Sequence, residues 1–361
     1  MLRGALVTSQ LFAASGASDP GGDGPAVGHG PSPLLEIADL RVSFRSRAGE
    51  IRAVRGVNLS LGEGQTLGIV GESGSGKSVT VRALMGILPE RTAVVTGSAR
   101  FEGADLLALT RRERRKYLGR DLAMVFQDPM RSLNPTMQIG RQIVEAIRNH
   151  ERVDAEQARA KAIDLLRQVR MSVPETRFHQ YPHQLSGGMR QRVMIAIAIA
   201  CRPRLLIADE STTALDVTTQ AQIMELFRDL QQELKMGLVL VSHDLALTAR
   251  YTDRLAVMYA GRIVESGVTA DVFNRPRMPY TKGLLESVPR RGANRHERLP
   301  TITGSPPDSL EVARGCAFQP RCPYATDRCA AEQPELVRAE GEQMYACWNP
   351  LEVPSRTRPH A

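Results

Sequence analysis

Apolar and polar positions alternate along the first stretch of patterned sequence. Leu35, Ile37, Leu40, Val42 and Phe44 predict an early strand, and a second run spans Ile51 to Leu61. A repeat of about two is that of a strand with one face on a core. Thr66 to Val70 is a short continuous apolar run, which predicts a strand buried on both faces. Leu205 to Ala208 and Leu238 to Val241 are two more, and each ends in polar or charged residues. Elsewhere the period lengthens. Ile223, Leu226, Phe227, Leu230 and Leu234 share one face of a helix predicted over Thr218–Lys235, and Asp154–Arg170 and Val79–Leu88 also read as helical. Strands alternating with helices predict an α/β fold around a mostly parallel sheet, with ligands at the carboxyl ends of its strands.

The pattern fades at the ends. Residues 1–33 are rich in Gly, Ala, Ser and Pro and predict a disordered tail. After a last hairpin at Gly261-Arg262, Pro276 to Pro307 is dense in Pro, Gly and Arg and reads as a linker wrapping the core. The longest uncharged apolar run, Val193 to Cys201, is nine residues. That is half of the roughly 18 that a spanning helix needs, so a soluble or peripheral chain is expected. The segment after Arg3 is broken by Thr8, Ser9 and Gln10, so no secretory signal is expected. The 361 residues carry 47 Lys+Arg against 39 Asp+Glu, a net charge of +8. This excess is compatible with nucleic acid or an anionic membrane and selects neither.

The chemistry begins at Gly71-Glu72-Ser73-Gly74-Ser75-Gly76-Lys77-Ser78, which matches G-x-x-x-x-G-K-[ST] between a predicted strand and a helix opening at Val79. In that context the glycines let backbone N–H groups turn toward the phosphates of a nucleotide, and the helix N-terminus adds positive potential. Lys77 supplies a mobile charge for the β/γ oxygens, and the Ser78 hydroxyl suits Mg²⁺. Asp209 and Glu210 close a second buried strand. Two adjacent acids there are costly unless a cation or a reaction uses them. Asp209 is the candidate for Mg²⁺ and Glu210 for polarising an attacking water. Together the motifs predict a nucleotide hydrolase.

Between them lies Leu185-Ser186-Gly187-Gly188-Met189-Arg190-Gln191-Arg192, opening an apolar helix. This resembles the signature motif of ATP-binding-cassette (ABC) ATPases. The resemblance implies that Ser186, Gly187, Gly188 and Gln191 meet the γ-phosphate of ATP held by a second subunit, so that ATP joins a head-to-tail dimer. It also implies roles for Gln127 (Q-loop, touching Mg²⁺ and water), Asp216 in Ala214-Leu215-Asp216 (D-loop) and His243 (switch histidine). Phe44 falls where the family stacks an aromatic on adenine; an ordinary strand core residue is the other reading. Ser211 departs from the family, which usually has Pro there.

Further stretches are similar to dipeptide and oligopeptide importer ATPases: Ser132-Leu133-Asn134-Pro135, Tyr181-Pro182-His183-Gln184, Ile197 to Pro203, Pro279-Tyr280-Thr281-Lys282 and Gly315 to Pro323. The implied architecture is a P-loop ABC cassette over 34–267: a RecA-like core, an antiparallel β subdomain and a helical subdomain at about 131–185. An importer-type extension with four cysteines (268–350) and a tail (351–361) follow.

Cys316, Cys322, Cys329 and Cys347 are spaced C-x5-C-x6-C-x17-C, without the C-x2-C pairs usual for metal sites. Zn²⁺, an iron–sulfur cluster and free thiols are all open on spacing alone. Relatives in the resembled subfamily carry a [4Fe–4S] cluster at such cysteines, which favours that reading. Cys201 reads as a buried thiol.

The resemblance implies a peripheral ATPase on the cytoplasmic face of the cell membrane, with two transmembrane permease subunits, a sister or identical ATPase and an extracytoplasmic solute-binding protein as partners. The rivals are a nucleic-acid ABC ATPase and a non-catalytic regulatory cassette. Against the first stand a lone phosphate motif, no heptad array and an aromatic content of 4%. Against the second stand Lys77, Gln127, Asp209, Glu210 and His243, all present.

Overall fold

The computed structural model describes residues 33–47, 49–211, 215–287, 301–307, 314–339 and 341–352. The two expected tails, but for Pro33, Leu351 and Glu352, and Ala214 of the expected D-loop lie outside them. Twelve strands are described, in chain order β1 (Leu35–Ser46), β2 (Gly49–Leu61), β3 (Thr66–Val70), β4 (Ala93–Phe101), β5 (Ala104–Asp105), β6 (Leu122–Val125), β7 (Leu205–Asp209), β8 (Gly237–Ser242), β9 (Arg254–Tyr259), β10 (Arg262–Val268), β11 (Val337–Arg338) and β12 (Met344–Tyr345).

They form two sheets. One is antiparallel in the order β2-β1-β4-β5, and the other runs β11-β12-β10-β9-β3-β8-β7-β6. From β9 to β6 the second sheet is parallel. Its central strands β3, β7 and β8 are buried along almost their whole length and largely apolar, because both faces of the sheet are covered. β1 alternates because one face only is buried, with Leu35, Ile37, Leu40 and Val42 inward. Those side chains pack on Val81 and Leu84 of the helix Lys77–Met85, fixing the antiparallel sheet against the phosphate loop.

A helical layer follows β6: Ile139–His150, Ala155–Gln168, Pro174–Phe178 and Gly187–Ala198. Ile143, Ile147, Leu166, Val193 and Ile195 are fully buried at its centre. Each such side chain contributes about 1.5–3 kcal/mol by leaving water. Ala158 and Ala162, also buried, let the helices approach closely. Asp154 caps Ala155–Gln168 through the Gln157 amide (2.8 Å) in a capping box.

The segment read as a linker is corrected in part. Pro279–Glu286 is a helix with Pro at its first position, and Tyr280 within it is fully buried. Tyr280 packs with Tyr259 and Phe318 in an aromatic triad (centroids 4.5–5.4 Å apart) beneath Val70, Leu255 and Val257. β11 and β12 then extend the main sheet beyond β10.

Candidate functional site

Register lines up the carboxyl ends of the parallel strands. Val70 pairs with Ser242, Val241 with Asp209, and Ala208 with Val125. The residues that follow are therefore neighbours: the phosphate loop after β3, His243 after β8, Glu210 after β7 and Gln127 after β6. This is the strand edge at which an open α/β sheet receives ligands.

The loop from Gly71 to Ser78 enters the helix Lys77–Met85 through Gly76. That residue has φ +103°, and a Cβ there would lie 2.5 Å from the Ala53 carbonyl oxygen. Only glycine fits. Ser73 and Gly74 are exposed at the tip, Val79 is half-buried, and Ser75 is 4% exposed with no partner for its hydroxyl among the described residues. The Lys77 ammonium donates to the carbonyls of Gly71 (2.8 Å) and Glu72 (3.0 Å) and lies 3.6 Å from Glu210. Burial holds its pKa below the ordinary lysine value, while Glu210, Asp209 and Glu72 pull it back up. Folding its tip onto loop carbonyls keeps the buried cation satisfied.

Three more groups complete the cluster. The Ser78 hydroxyl donates to Asp209 (2.6 Å), whose side chain is fully buried and whose other oxygen accepts from Arg82 (3.0 and 3.2 Å). Gln127 Nε2 donates to the second Glu210 oxygen (2.8 Å). Glu210 adopts φ +44° and its amide donates to the Val241 carbonyl (3.0 Å). A non-glycine residue in this left-handed region is strained, which directs its carboxylate at Lys77 and Gln127. His243 is exposed at the end of β8; beside it Asp244 caps the next helix through the Leu247 amide (2.9 Å).

The signature residues stand apart from this cluster. Ser186 caps Gly187–Ala198 through the Met189 amide (3.3 Å), and Gly187 is exposed. A Cβ on Gly188 would lie 2.6 Å from Thr219 Cγ2, so this glycine serves helix packing as well. Asp216 caps the helix Val217–Leu234 through the Thr219 amide (3.0 Å). Among the described residues no hydrogen bond joins Ser186, Gly187 or Gly188 to the phosphate loop. Gln191 is 1% exposed, and its Nε2 has no hydrogen-bond partner among the described residues. Phe44 is half-buried in β1 and packs against the core beside Ile51 and Ala93.

The cysteine cluster needs a further correction. Among the described residues no group of three or more His, Cys, Asp or Glu side chains is arranged to hold a metal ion. All four thiols are free. Burial raises the pKa of Cys316 and Cys322, and pushes Cys347, which also feels the other three thiols, up to about 12. Neither the iron–sulfur nor the zinc reading is supported. Cys201 is half-buried with a raised pKa, its sulfur 4.0 Å from the Ala146 carbonyl.

Sequence reasoning missed Arg82, Glu72, Tyr280 and Arg321. Arg82 could have been inferred from its position one turn beyond Ser78 on the same helix. The others come together only through the fold: Arg321 forms a two-pronged ion pair with Glu72, and the Tyr280 hydroxyl accepts from the Glu72 amide.

Comparison with known proteins agrees with this geometry. A family profile described as "ABC transporter" matches residues 54–213, and one described as "Oligopeptide/dipeptide transporter, C-terminal region" matches 264–329. The chain is 49% identical to the dipeptide transport ATP-binding protein DppD of Escherichia coli (strain K12), over 90% of this chain and 98% of that protein. It is 47% identical to the oligopeptide transport ATP-binding protein OppD of Bacillus subtilis (strain 168), over 87% and 88%. Among solved structures it is similar to the ATP-binding cassette MJ0796, determined as a dimer bound to ADP and Pi. The TM-score is 0.59 at 26% identity, covering 65% of this chain and 99% of that one. The chain belongs to the family of ATP-binding subunits of dipeptide and oligopeptide ABC transporters.

Proposed function

We propose that the chain binds and hydrolyses ATP at the β3/β8/β7/β6 edge and so powers import of di- or oligopeptides through membrane partners. The observation that carries this is the convergence of Lys77, Ser78, Gln127, Asp209 and Glu210 on one patch. Three buried or half-buried charges, Lys77, Asp209 and Glu210, gathered in one patch are expensive as a structural device and useful around a triphosphate.

The phosphates enter along the loop amides and the N-terminus of the helix Lys77–Met85, and Lys77 exchanges the carbonyls of Gly71 and Glu72 for phosphate oxygens. Ser78 and Asp209 are hard oxygen donors to one point. They fit Mg²⁺, which is held by few protein groups plus substrate phosphates and would neutralise phosphate charge. Glu210 and Gln127 orient a water in line with the γ-phosphorus. As the water oxygen attacks and the bond to the β–γ bridging oxygen breaks, Glu210 accepts the proton, giving ADP and phosphate. His243, at the end of the neighbouring strand, faces the same phosphate. Ser186 and Gly188 serve the ATP of a second cassette, which explains their separation from this chain's own loop.

No described helix is long and apolar enough to cross a membrane. Transport therefore needs permease subunits, and we place the chain at the cytoplasmic face beside them, with a second cassette and a solute-binding protein. We assign 34–267 to the cassette, with the helical subdomain near 131–185, and 268–350 to the importer-type extension. The test is ATP turnover and peptide uptake by the assembled transporter in vesicles. Lys77→Ala should abolish both. Turnover that ignores permease and peptide but rises with DNA would move the reading to the nucleic-acid class.

A further inference from the structure

Glu72 places a carboxylate inside the loop proposed to receive a triphosphate. Taken alone, that charge opposes ATP. The fold answers it from 249 residues away: Arg321 NH1 and NH2 each donate to one Glu72 oxygen (2.7 and 2.9 Å). The Arg321 side chain is 4% exposed, against 26% for Glu72. Its Nε donates to the Thr303 carbonyl (2.9 Å), NH1 reaches the Tyr259 hydroxyl (3.3 Å), and the guanidinium lies over the rings of Tyr259 and Phe318. The Glu72 main chain is held as well, through the Tyr280 hydroxyl (2.9 Å). The cation is thus fixed before any ligand arrives, as a preorganised electrostatic group must be. The Glu72 carboxylate keeps it charged against the opposing effect of burial.

We propose that Arg321 is a positioning residue for ATP binding. It neutralises Glu72 and fixes the phosphate loop, so that the C-terminal extension sets the nucleotide affinity of its own cassette. The Glu72 charge also reaches Lys77, where it helps to hold the ammonium in its protonated form. Removing Arg321 leaves that carboxylate uncompensated in a poorly solvated loop, where Coulomb repulsion of phosphate is weakly screened. The proposal rests on reading Gly71–Ser78 as the phosphate site.

The test is equilibrium binding of Mg·ATP to the full chain. Arg321→Ala should weaken binding on the order of tenfold, the scale of one compensating charge at partial burial. The loss should shrink at high salt. Glu72→Gln in the same background should restore most of the affinity, because it removes the repelling charge rather than repairing any packing. If Arg321→Ala loosens the extension, Glu72→Gln alone still decides: it leaves the buried cation unopposed beside the phosphates and should bind ATP more tightly than the parent chain. In the assembled transporter the effect should fall on KM for ATP with kcat at saturation retained. Unchanged affinity in Arg321→Ala, or weaker binding in Glu72→Gln, overturns the proposal. Lys77→Ala separates the two levels. If it too leaves ATP binding intact, the phosphate-site reading fails; if only Lys77→Ala abolishes binding, that reading stands and the role of Arg321 does not.

Discussion

At the strand ends, Lys77, Asp209 and Glu210 share partners that can be exchanged: loop carbonyls, a serine hydroxyl and a glutamine amide. Where the C-terminal segment meets the cassette, Glu265 of β10 and Arg321 are also buried charged groups, but their partners are fixed. Glu265 accepts from the amides of Arg277 (2.7 Å) and Met278 (3.1 Å) and from Gln343 Nε2 (2.7 Å), tying two stretches of chain to β10. The first region buries charge where a ligand can replace the partners. The second buries it to hold a segment with little apolar core of its own. The same type of group therefore has different consequences when changed: loss of turnover at the strand ends and loss of stability at Glu265.

The largest expected effect breaks function without touching the fold. Glu210→Gln keeps the shape and a hydrogen bond to Gln127 but cannot accept the proton from water. Turnover should fall by about 10²–10⁴-fold, the usual worth of a general base, while ATP still binds through Lys77 and Ser78. Hydrolysis close to the parent rate would remove Glu210 from its role. ATP should also trap this variant as a dimer, visible by size-exclusion chromatography.

Next comes the anchor of the extension on β10. Glu265→Leu removes an acceptor from three buried donors, each costing about 1–3 kcal/mol when left unpaired. The chain should melt measurably earlier, and cleavage after residue 268 by a protease should accelerate, with ATP binding less affected than stability. Burial holds the Glu265 pKa above its ordinary value, against the opposing pull of its hydrogen bonds. The sign follows from linkage. The folded chain holds this proton more tightly than the unfolded one, so the contribution is full below about pH 4.3 and declines as pH rises through the folded pKa. Glu265→Gln should remove that slope from a series of melts against pH. A slope that survives would assign it to another group.

How far each region was legible follows from the same contrast. The phosphate loop, Asp209-Glu210 and the Ser186 motif are local strings with fixed spacing, and the apolar runs of β3, β7 and β8 announce strands buried on both faces. Register then brings Gln127 and His243 to the same edge. The burial of Gln191 was not legible, because the string shows a residue type and not the helix face it occupies. In the extension, Pro and Gly density concealed a helix whose Tyr280 is buried against partners distant in sequence. Nothing local marks Arg321 as the partner of Glu72. The four cysteines were legible as a set, but their spacing carries no geometry, and among the described residues the fold arranges no metal-holding group from them.

The smallest expected effect lies where the two regions meet. Tyr280→Phe keeps the aromatic triad with Tyr259 and Phe318 and removes only the hydroxyl that accepts from the Glu72 amide. One neutral hydrogen bond is worth about 1 kcal/mol net, which for a chain of this size shifts the melting temperature by roughly 2 °C. If the two regions were independent, that loss would be the same with and without nucleotide. Because the amide belongs to the phosphate loop, ordering of the loop by ATP should recover part of it. Melts of Tyr280→Phe and the parent chain, each with and without saturating Mg·ATP, should therefore converge in the bound state. Equal gaps in both states would show that the extension braces the cassette as a whole and not its loop.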